Sequence, residues 1–251
     1  MAGESVTVSQ GHFVGTLRKD AWWTEILPAA LLLGVFGAYA TWRAFEGVYY
    51  TWGPYLTPFY SPLIDPQHHW WPLSPALLIL VFPLGFRTTC YYYRKAYYRA
   101  YFMDPPACAV GERKRNYCGE TKFPFILQNL HRYFLYAAII VLGFLWYDAI
   151  VAFWYEGHFF VGVGSLIMLV NVVLLSIYTG SCHSLRHLIG GKVDCFSCSS
   201  FGSTRHSWWQ KISSINEHHM LYAWCSLISV GLTDLYIRMV SAGVIRDIRI
   251  L

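Results

Sequence analysis

The chain has 251 residues, of which 55% are hydrophobic and only 13% are charged, about half the usual charged share. A soluble domain of this length needs more charge to cover its surface, so the composition argues against an ordinary soluble protein and favours a membrane protein. The net charge of +5 is modest. We expect no nucleic-acid partner, and the lipid bilayer as the main environment.

Apolar runs set the expected fold. A bilayer core is crossed by about 20 mostly apolar residues, and in lipid each backbone must satisfy its own hydrogen bonds, so such runs are expected to be helices. We therefore expect an all-α membrane protein in which five transmembrane helices form one bundle and one domain, residues 1–251. The predicted spans are residues 26–45, 73–93, 126–154, 160–188 and 215–242.

Lysine and arginine are unevenly distributed between the loops. They occur in the N-terminal tail and after the second and fourth apolar runs, whereas residues 46–72 and 155–159 contain none. Cytoplasmic loops carry an excess of these residues. The N-terminus is therefore expected in the cytoplasm and the C-terminus outside, in a multi-pass protein of the plasma membrane.

Histidine and cysteine concentrate at the predicted inner ends of the helices. Ionisable and metal-binding residues inside membranes are expensive, so they are functional hypotheses by default. The outer face has only His68, His69 and His158. The donors at the inner helix ends are Cys90, His131, Cys182, His183, His187, His218 and His219, and those in the inner loops are Cys108, Cys118, Cys195, Cys198 and His206.

Two kinds of redox centre fit these donors. In Rieske centres two His replace two Cys on one iron, and the inner face offers several such combinations. One haem b between His131 or His187 and His219 is the alternative; a stacked pair of haems is disfavoured because the first two helices contain no His. The pair Cys195 and Cys198 supplies only two ligands and is the runner-up source of thiols.

Other polar side chains suggest a quinone site and a helix-internal ion pair. Asp234 and Arg238 are spaced i, i+4 on the fifth helix and are expected to pair with each other. A group of cationic and aromatic side chains at the inner depth suits the polar head of a quinone, although such residues also serve as snorkelling anchors. The members of this group are Arg132, Tyr133, Arg186 and Trp208.

Three stretches carry a family resemblance. GFRTTCYYYRKAYYRAYF (residues 85–102), FPFILQNLHRYF (123–134) and SCHSLRHLIGGKVD (181–194) resemble the membrane-anchor subunit of actinobacterial succinate dehydrogenase, respiratory complex II. The order of five helices is similar to the single-chain, SdhC-type anchor. The resemblance runs from the second helix to the fifth.

The resemblance implies a role for the chain in a bacterial plasma membrane. Such an anchor does not oxidise succinate itself: it holds the flavoprotein and iron–sulfur subunits on the cytoplasmic side, sometimes with a further small membrane subunit, and forms a menaquinone site at their junction. The chain would then be the quinone-reducing part of succinate:menaquinone oxidoreductase. Relatives carry haem b, and a mycobacterial form carries a Rieske-type [2Fe–2S] cluster instead.

This sequence is compatible with the Rieske form, because it offers Cys and His together at the inner face. On the resemblance, the ligands are expected among Cys90, Cys108, His131, Cys182, His183, His187 and His219. A small polytopic transporter is a further alternative. It would place ionisable residues near the midplane, where the polar residue here is Asn171.

Overall fold

The computed structural model describes residues 15–64, 74–113, 121–123 and 125–251. The expected all-α fold is confirmed. The α-helices of the described residues are α1 (Leu27–Glu46), α2 (Ala76–Thr88), α3 (Tyr91–Tyr97), α4 (His131–Val151), α5 (Val163–Gly180), α6 (His183–Arg186), α7 (Gly202–Asn216) and α8 (His219–Ser241). Strand β1 (Thr51–Trp52) pairs with β2 (Tyr55–Leu56), and β3 (Trp154–Tyr155) pairs with β4 (His158–Phe159), both antiparallel. His68, His69 and Cys118 lie outside the described residues.

Three described helices are long and apolar enough to cross a membrane: Phe125–Val151, Val163–Gly180 and His219–Ser241. The segments Ala76–Thr88 and Tyr91–Phe102 pass the same test only as a pair, bent by 83°. Helix α1 has 20 residues, but Arg43 and Glu46 near its end reduce its apolarity. The count of five spans therefore stays a prediction.

The second and fourth predicted spans are interrupted near their predicted inner ends. Helix α2 ends at Thr88 and α5 at Gly180, and in both places a cysteine in extended conformation precedes the next short helix. The backbone angles are φ −68°, ψ 132° at Cys90 and φ −63°, ψ 135° at Cys182. An extended residue cannot continue the i to i−4 hydrogen-bond ladder, so each helix stops there.

The other predicted bounds shift by a few residues. The third predicted span stops at Val151, because the β3–β4 hairpin begins at Trp154. The fifth does not start at residue 215: α7 ends at Asn216 and α8 begins at His219. Histidines 131 and 219 are thus the first residues of two long helices, α4 and α8.

The chain divides into two compact units, and the first comprises residues 1–39 and 88–129. Within its described part, Glu25 pairs with both Arg18 and Arg99, each at 3.1 Å. The Tyr101 hydroxyl donates a hydrogen bond of 2.6 Å to the carbonyl of Ala30. These contacts attach the beginning of α1 to the segment that follows α3.

The second unit comprises residues 40–87 and 130–251 and holds the main helix packing. A buried cluster combines side chains of α5, α8 and strand β2 with side chains at the end of α4 and after β4: Tyr55, Ala149, Ala152, Phe160, Met168, Val172 and Ile237. Small residues permit close approach between helices in a membrane, as do Ala149 and Ala152 here. Asn171 accepts a hydrogen bond of 3.2 Å from Ser229, so this amide joins α5 to α8.

The predicted ion pair between Asp234 and Arg238 is wrong. Arg43 Nε donates to Asp234 Oδ2 at 2.8 Å, and Arg238 Nη2 donates to Glu46 Oε1 at 2.6 Å. Spacing of i, i+4 makes a pair sterically available but worth only about 0.2–0.5 kcal/mol, whereas the buried guanidinium of Arg43 demands a counter-ion. Asp234 and Arg238 of α8 therefore each pair with a residue at the end of α1, Asp234 with Arg43 and Arg238 with Glu46, instead of with each other.

Asp247, beyond α8, connects the ends of three elements. Its carboxylate accepts hydrogen bonds of 2.6 Å from the hydroxyls of Tyr55 and Tyr236, and one of 3.0 Å from the amide of Gly164. Gly164 lies in the first turn of α5, where amides lack helical partners and the helix dipole favours negative charge. Burial and the hydrogen bond to Asp247 raise the pKa of Tyr55.

Candidate metal and quinone site

His131 and Cys182 meet where α4 begins and α5 has ended. The Nε2 atom of His131 lies 3.2 Å from the Sγ atom of Cys182. Cys182 is the extended residue between α5 and α6, and its side chain is buried. An imidazole nitrogen and a thiol in contact are the two donor types that a mixed Cys/His metal centre uses.

His219 lies close to this pair, because it is hydrogen-bonded to Ser181, the residue that precedes Cys182. Its Nδ1 atom is 2.7 Å from the hydroxyl of Ser181, and that hydroxyl donates to the carbonyl of Tyr178 at 3.1 Å. The Asn216 amide donates to the Ser181 carbonyl at 2.6 Å. The end of α7 and the start of α8 are thereby fastened to the end of α5.

Two aromatic rings cover the two imidazoles. Phe86 stacks on His131 with ring centroids 4.9 Å apart and planes at 5°, and Tyr178 stacks on His219 at 5.0 Å and 18°. The rings of Phe86 and Tyr178 are themselves 5.3 Å apart. Both histidines are therefore joined through a continuous set of ring contacts in the second unit.

Arg87 holds Tyr178 from α2. Its guanidinium carbon lies 4.8 Å from the centre of the Tyr178 ring, a cation–π distance. Its Nη2 atom donates to the Ser226 hydroxyl at 3.1 Å, and Nη1 donates to the Ala223 carbonyl at 3.3 Å. This arginine connects α2, α5 and α8 at the level of the ring contacts.

The remaining predicted donors have different surroundings. His183 is exposed, and His187 places Nδ1 3.3 Å from Nη2 of Arg132. In the first unit Cys90 is buried and Cys108 is exposed. Among the described residues, no three or more His, Cys, Asp or Glu side chains converge in a geometry that could hold a metal ion.

The C-x-x-C element of the inner loop forms a disulfide between Cys195 and Cys198. Both sulfurs are engaged with each other, so this runner-up source of thiolate ligands is not available in this structure. The Phe196 ring between them packs 5.0 Å from His206 and 6.1 Å from Trp209. The element is therefore anchored on α7.

The predicted quinone residues fall into two groups. Arg132 and Tyr133 are exposed at the start of α4. Arg186 is half-buried, donates to the Ser213 hydroxyl at 2.7 Å and lies 4.9 Å from the ring of Trp209. Arg186 thus packs on Trp209 and not on the predicted Trp208.

Trp208 instead lines an open groove of about 520 Å³ between the π-helical segment His187–Gly191 and α7. Leu188, Ile189, Thr204 and Arg205 complete the lining. Arg205 was not among the predicted residues, although its position three residues before Trp208 on a helix would have placed the two on one face.

Phe86, Tyr178 and Ser181 were not predicted either. The sequence does contain a pattern that could have identified Phe86 and Tyr178. Twice in the chain, a cysteine has an aromatic residue four positions before it and an arginine four positions after it. The two patterns are Phe86–Cys90–Arg94 and Tyr178–Cys182–Arg186. Each precedes a π-helical segment, Tyr98–Phe102 or His187–Gly191, and then a long helix that opens with histidine.

Comparison with known proteins agrees with this architecture. The family described as actinobacterial succinate dehydrogenase subunit SdhC matches residues 24–243. A chain of the Mycobacterium smegmatis Sdh1 complex in the apo form has 45% sequence identity and a TM-score of 0.83, with 94% of each chain covered. No curated protein gives a match. The matched range includes all the candidate site residues, and the chain belongs to the actinobacterial SdhC family, as a multi-pass membrane subunit of succinate dehydrogenase in the bacterial plasma membrane.

Proposed function

We propose that this subunit passes electrons from a docked iron–sulfur subunit to menaquinone, through a metal centre at the inner ends of its helices. The observation that carries the proposal is the 3.2 Å contact of His131 Nε2 with Cys182 Sγ. A half-buried imidazole and a buried thiol within a membrane subunit point to a redox centre, because such residues are costly at that depth.

A Rieske-type [2Fe–2S] cluster is the centre that the donors favour. His131, Cys182 and His219 supply two imidazoles and one thiol at helix ends of the second unit. When bound, the cluster would accept and release one electron at a time. For the second thiolate, the sequence-based prediction of Cys90 or Cys108 stands.

Haem b is the alternative centre, and the packing argues against it. A porphyrin held by His131 and His219 needs a wide slot beside both imidazoles, but Phe86 and Tyr178 cover them. A compact cluster requires less rearrangement than a porphyrin.

The menaquinone head group is proposed to bind on the same side, at the groove lined by Trp208 and Arg205. A guanidinium donates hydrogen bonds to a quinone oxygen and stabilises the negative charge that reduction develops there. An indole ring packs against the flat quinone ring. Arg132, Tyr133 and Arg186 remain predicted contacts for the head group or its tail.

The proposed partners are the flavoprotein and iron–sulfur subunits on the cytoplasmic side, with a further small membrane subunit beside the helices. The basic loops predicted to face the cytoplasm support this side for docking, because positive charge steers an acidic partner. Recovery of this chain from membranes without dehydrogenase subunits would contradict the anchor role.

The cofactor is tested on the complex purified through its flavoprotein subunit. Iron and acid-labile sulfide are quantified, and electron paramagnetic resonance (EPR) spectra are recorded after reduction. We expect two iron and two sulfide in excess of the soluble subunits, following the composition of a [2Fe–2S] cluster. A b-type haem spectrum without this excess would overturn the cluster assignment.

Matched variants identify the ligands. Cys182→Ser and His219→Ala are expected to remove the additional EPR signal while the complex still assembles. Cys225→Ser, within α8, serves as the control and is expected to retain it. An unchanged signal in Cys182→Ser would remove this residue from the ligand set.

A further inference from the structure

The ring contacts of the two histidines repeat along the chain. In the first repeat Phe86 precedes Cys90 by four residues and stacks on His131; in the second, Tyr178 precedes Cys182 by four residues and stacks on His219. The stacked histidine is in each case the first residue of an apolar helix of more than 20 residues, α4 (21 residues) or α8 (23 residues). One arrangement of helix end, aromatic ring and histidine thus occurs twice.

The backbone of each aromatic residue is also linked by hydrogen bonds to its histidine, directly at Phe86 and through Ser181 at Tyr178. The ring of His131 is hydrogen-bonded to the backbone of Phe86. For His219 the link passes through Ser181, whose hydroxyl lies 2.7 Å from Nδ1 and donates to the Tyr178 carbonyl at 3.1 Å. Carbonyls at a helix C-terminus lack helical partners, so the ends of α2 and α5 offer acceptors at these positions.

A stacked ring and a hydrogen bond restrict different motions of an imidazole. The hydrogen bond to one nitrogen fixes the rotation within the plane and the tautomer, and the ring fixes the tilt of the plane. The stacking rings are buried, with 3% exposure for Phe86 and 1% for Tyr178. Their own freedom is therefore small, and Arg87 further restrains Tyr178 at 4.8 Å.

We infer that Phe86 and Tyr178 are a pair of positioning residues that set the orientation of the His131 and His219 imidazoles toward the metal centre. The inference rests on the proposed function, since it assigns a role within that same centre. Neither residue is a ligand. Outer contacts of this kind orient metal-binding histidines and tune the metal that they hold.

The test uses the whole complex with Phe86→Leu, Tyr178→Leu and the ring-retaining variants Phe86→Tyr and Tyr178→Phe. Tyr60→Leu is the matched control. Tyr60 stacks on Tyr50 with ring centroids 4.5 Å apart, and this ring pair includes neither His131 nor His219. Iron and sulfide content, the EPR g values and the midpoint potential of the additional signal are measured for each. Thermal unfolding monitors the general stability.

The leucine variants are expected to keep iron and sulfide but to shift or broaden the EPR signal and move its midpoint potential. The ring-retaining variants and Tyr60→Leu are expected to match the wild type. Wild-type spectra and potentials in both leucine variants would overturn the inference and leave the proposed function intact. If a leucine variant does not assemble, Phe86→Met or Tyr178→Met gives the same comparison, because the methionine side chain is flexible and lacks a ring.

Absence of an additional signal in the wild-type complex overturns the proposed function itself, and with it this inference. A shift in Tyr60→Leu as large as in the two leucine variants would show that the signal responds to general destabilisation. That outcome also overturns a positioning role. Failure of the proposed function is therefore seen in the wild-type complex, which lacks the additional signal, whereas failure of this inference is seen in the variants.

Discussion

Arg43 and Asp234 form an ion pair in which neither side chain is exposed to solvent, with Arg43 Nε 2.8 Å from Asp234 Oδ2. The guanidinium also binds Glu46 and donates to the carbonyl of Val48 at 3.0 Å. Arg238 approaches Glu46 from α8, at 2.6 Å. Two cations and two carboxylates thus join the end of α1 to α8.

Asp234→Ala is expected to destabilise the subunit strongly, because it removes the fully buried carboxylate that Arg43 and Thr57 both donate to and leaves Arg43 with Glu46 alone of its two carboxylate partners. Removing one partner of a buried pair costs about 3–5 kcal/mol. The effect is measured as a lower thermal unfolding midpoint of the purified complex. The double variant Arg43→Met with Asp234→Leu removes both charges and is expected to recover much of the loss.

The control for this prediction is Asp20→Asn, at the exposed end of the pair with Arg18. Solvent screens such pairs, so no measurable change in the unfolding midpoint is expected. Equal midpoints for Asp234→Ala and Asp20→Asn would contradict the assignment of a buried pair.

Gly85→Ala is expected to disturb the packing of α2 on α4. A Cβ at this position would lie 2.1 Å from Cε1 of Phe134, so that ring or the helix must move. Overpacking of this kind costs about 1–3 kcal/mol. Gly143→Ala is the matched control, because its Cβ would meet nothing within 4 Å. There, the better helix propensity of alanine, about 1 kcal/mol, predicts equal or higher stability.

Asp247→Ala is expected to loosen the segment that follows α8. The carboxylate accepts three hydrogen bonds, from Tyr55, Tyr236 and the Gly164 amide, and bonds to a charged group contribute about 1.5–3 kcal/mol each. Faster proteolysis after α8 and a lower unfolding midpoint measure the effect. Asp247→Asn retains an acceptor oxygen and is expected to lie between the wild type and the alanine variant.

The predicted orientation is tested by labelling introduced cysteines with a membrane-impermeant maleimide. Lys192→Cys is expected to react in inverted vesicles, and His158→Cys in intact cells, because the two positions are assigned to opposite faces. Both residues are exposed in the structure. Peptide mass mapping separates these labels from those on native cysteines, and the reverse pattern would refute the orientation.

The sequence was a good guide to the apolar helices and a poorer one to their ends. Residues 160–188 read as one span, yet α5 stops at Gly180. The residues after it, Ser181 and Cys182, have no property that forbids a helix. Their hydrogen bonds to His219 and His131 arise from distant parts of the chain, which a local pattern does not contain.

The candidate site was likewise predictable only in part from the sequence. His131, Cys182 and His219 could be selected because donors are conspicuous among apolar neighbours. Phe86 and Tyr178 could not, since aromatic residues are abundant in this chain, at 18%, and most pack without a specific role. Their significance depends on which ring each one faces, and that is a property of the folded structure.

The Arg43–Asp234 pair also constrains the order in which the subunit can be assembled during synthesis. Asp234 follows Arg43 by 191 residues, so the ribosome and the insertion machinery handle α1 when Arg43 can pair with Glu46 but not yet with Asp234. An arginine is expensive in the membrane interior until it is paired. We therefore expect α1 to reach its final packing only after α8 has inserted and supplied Asp234.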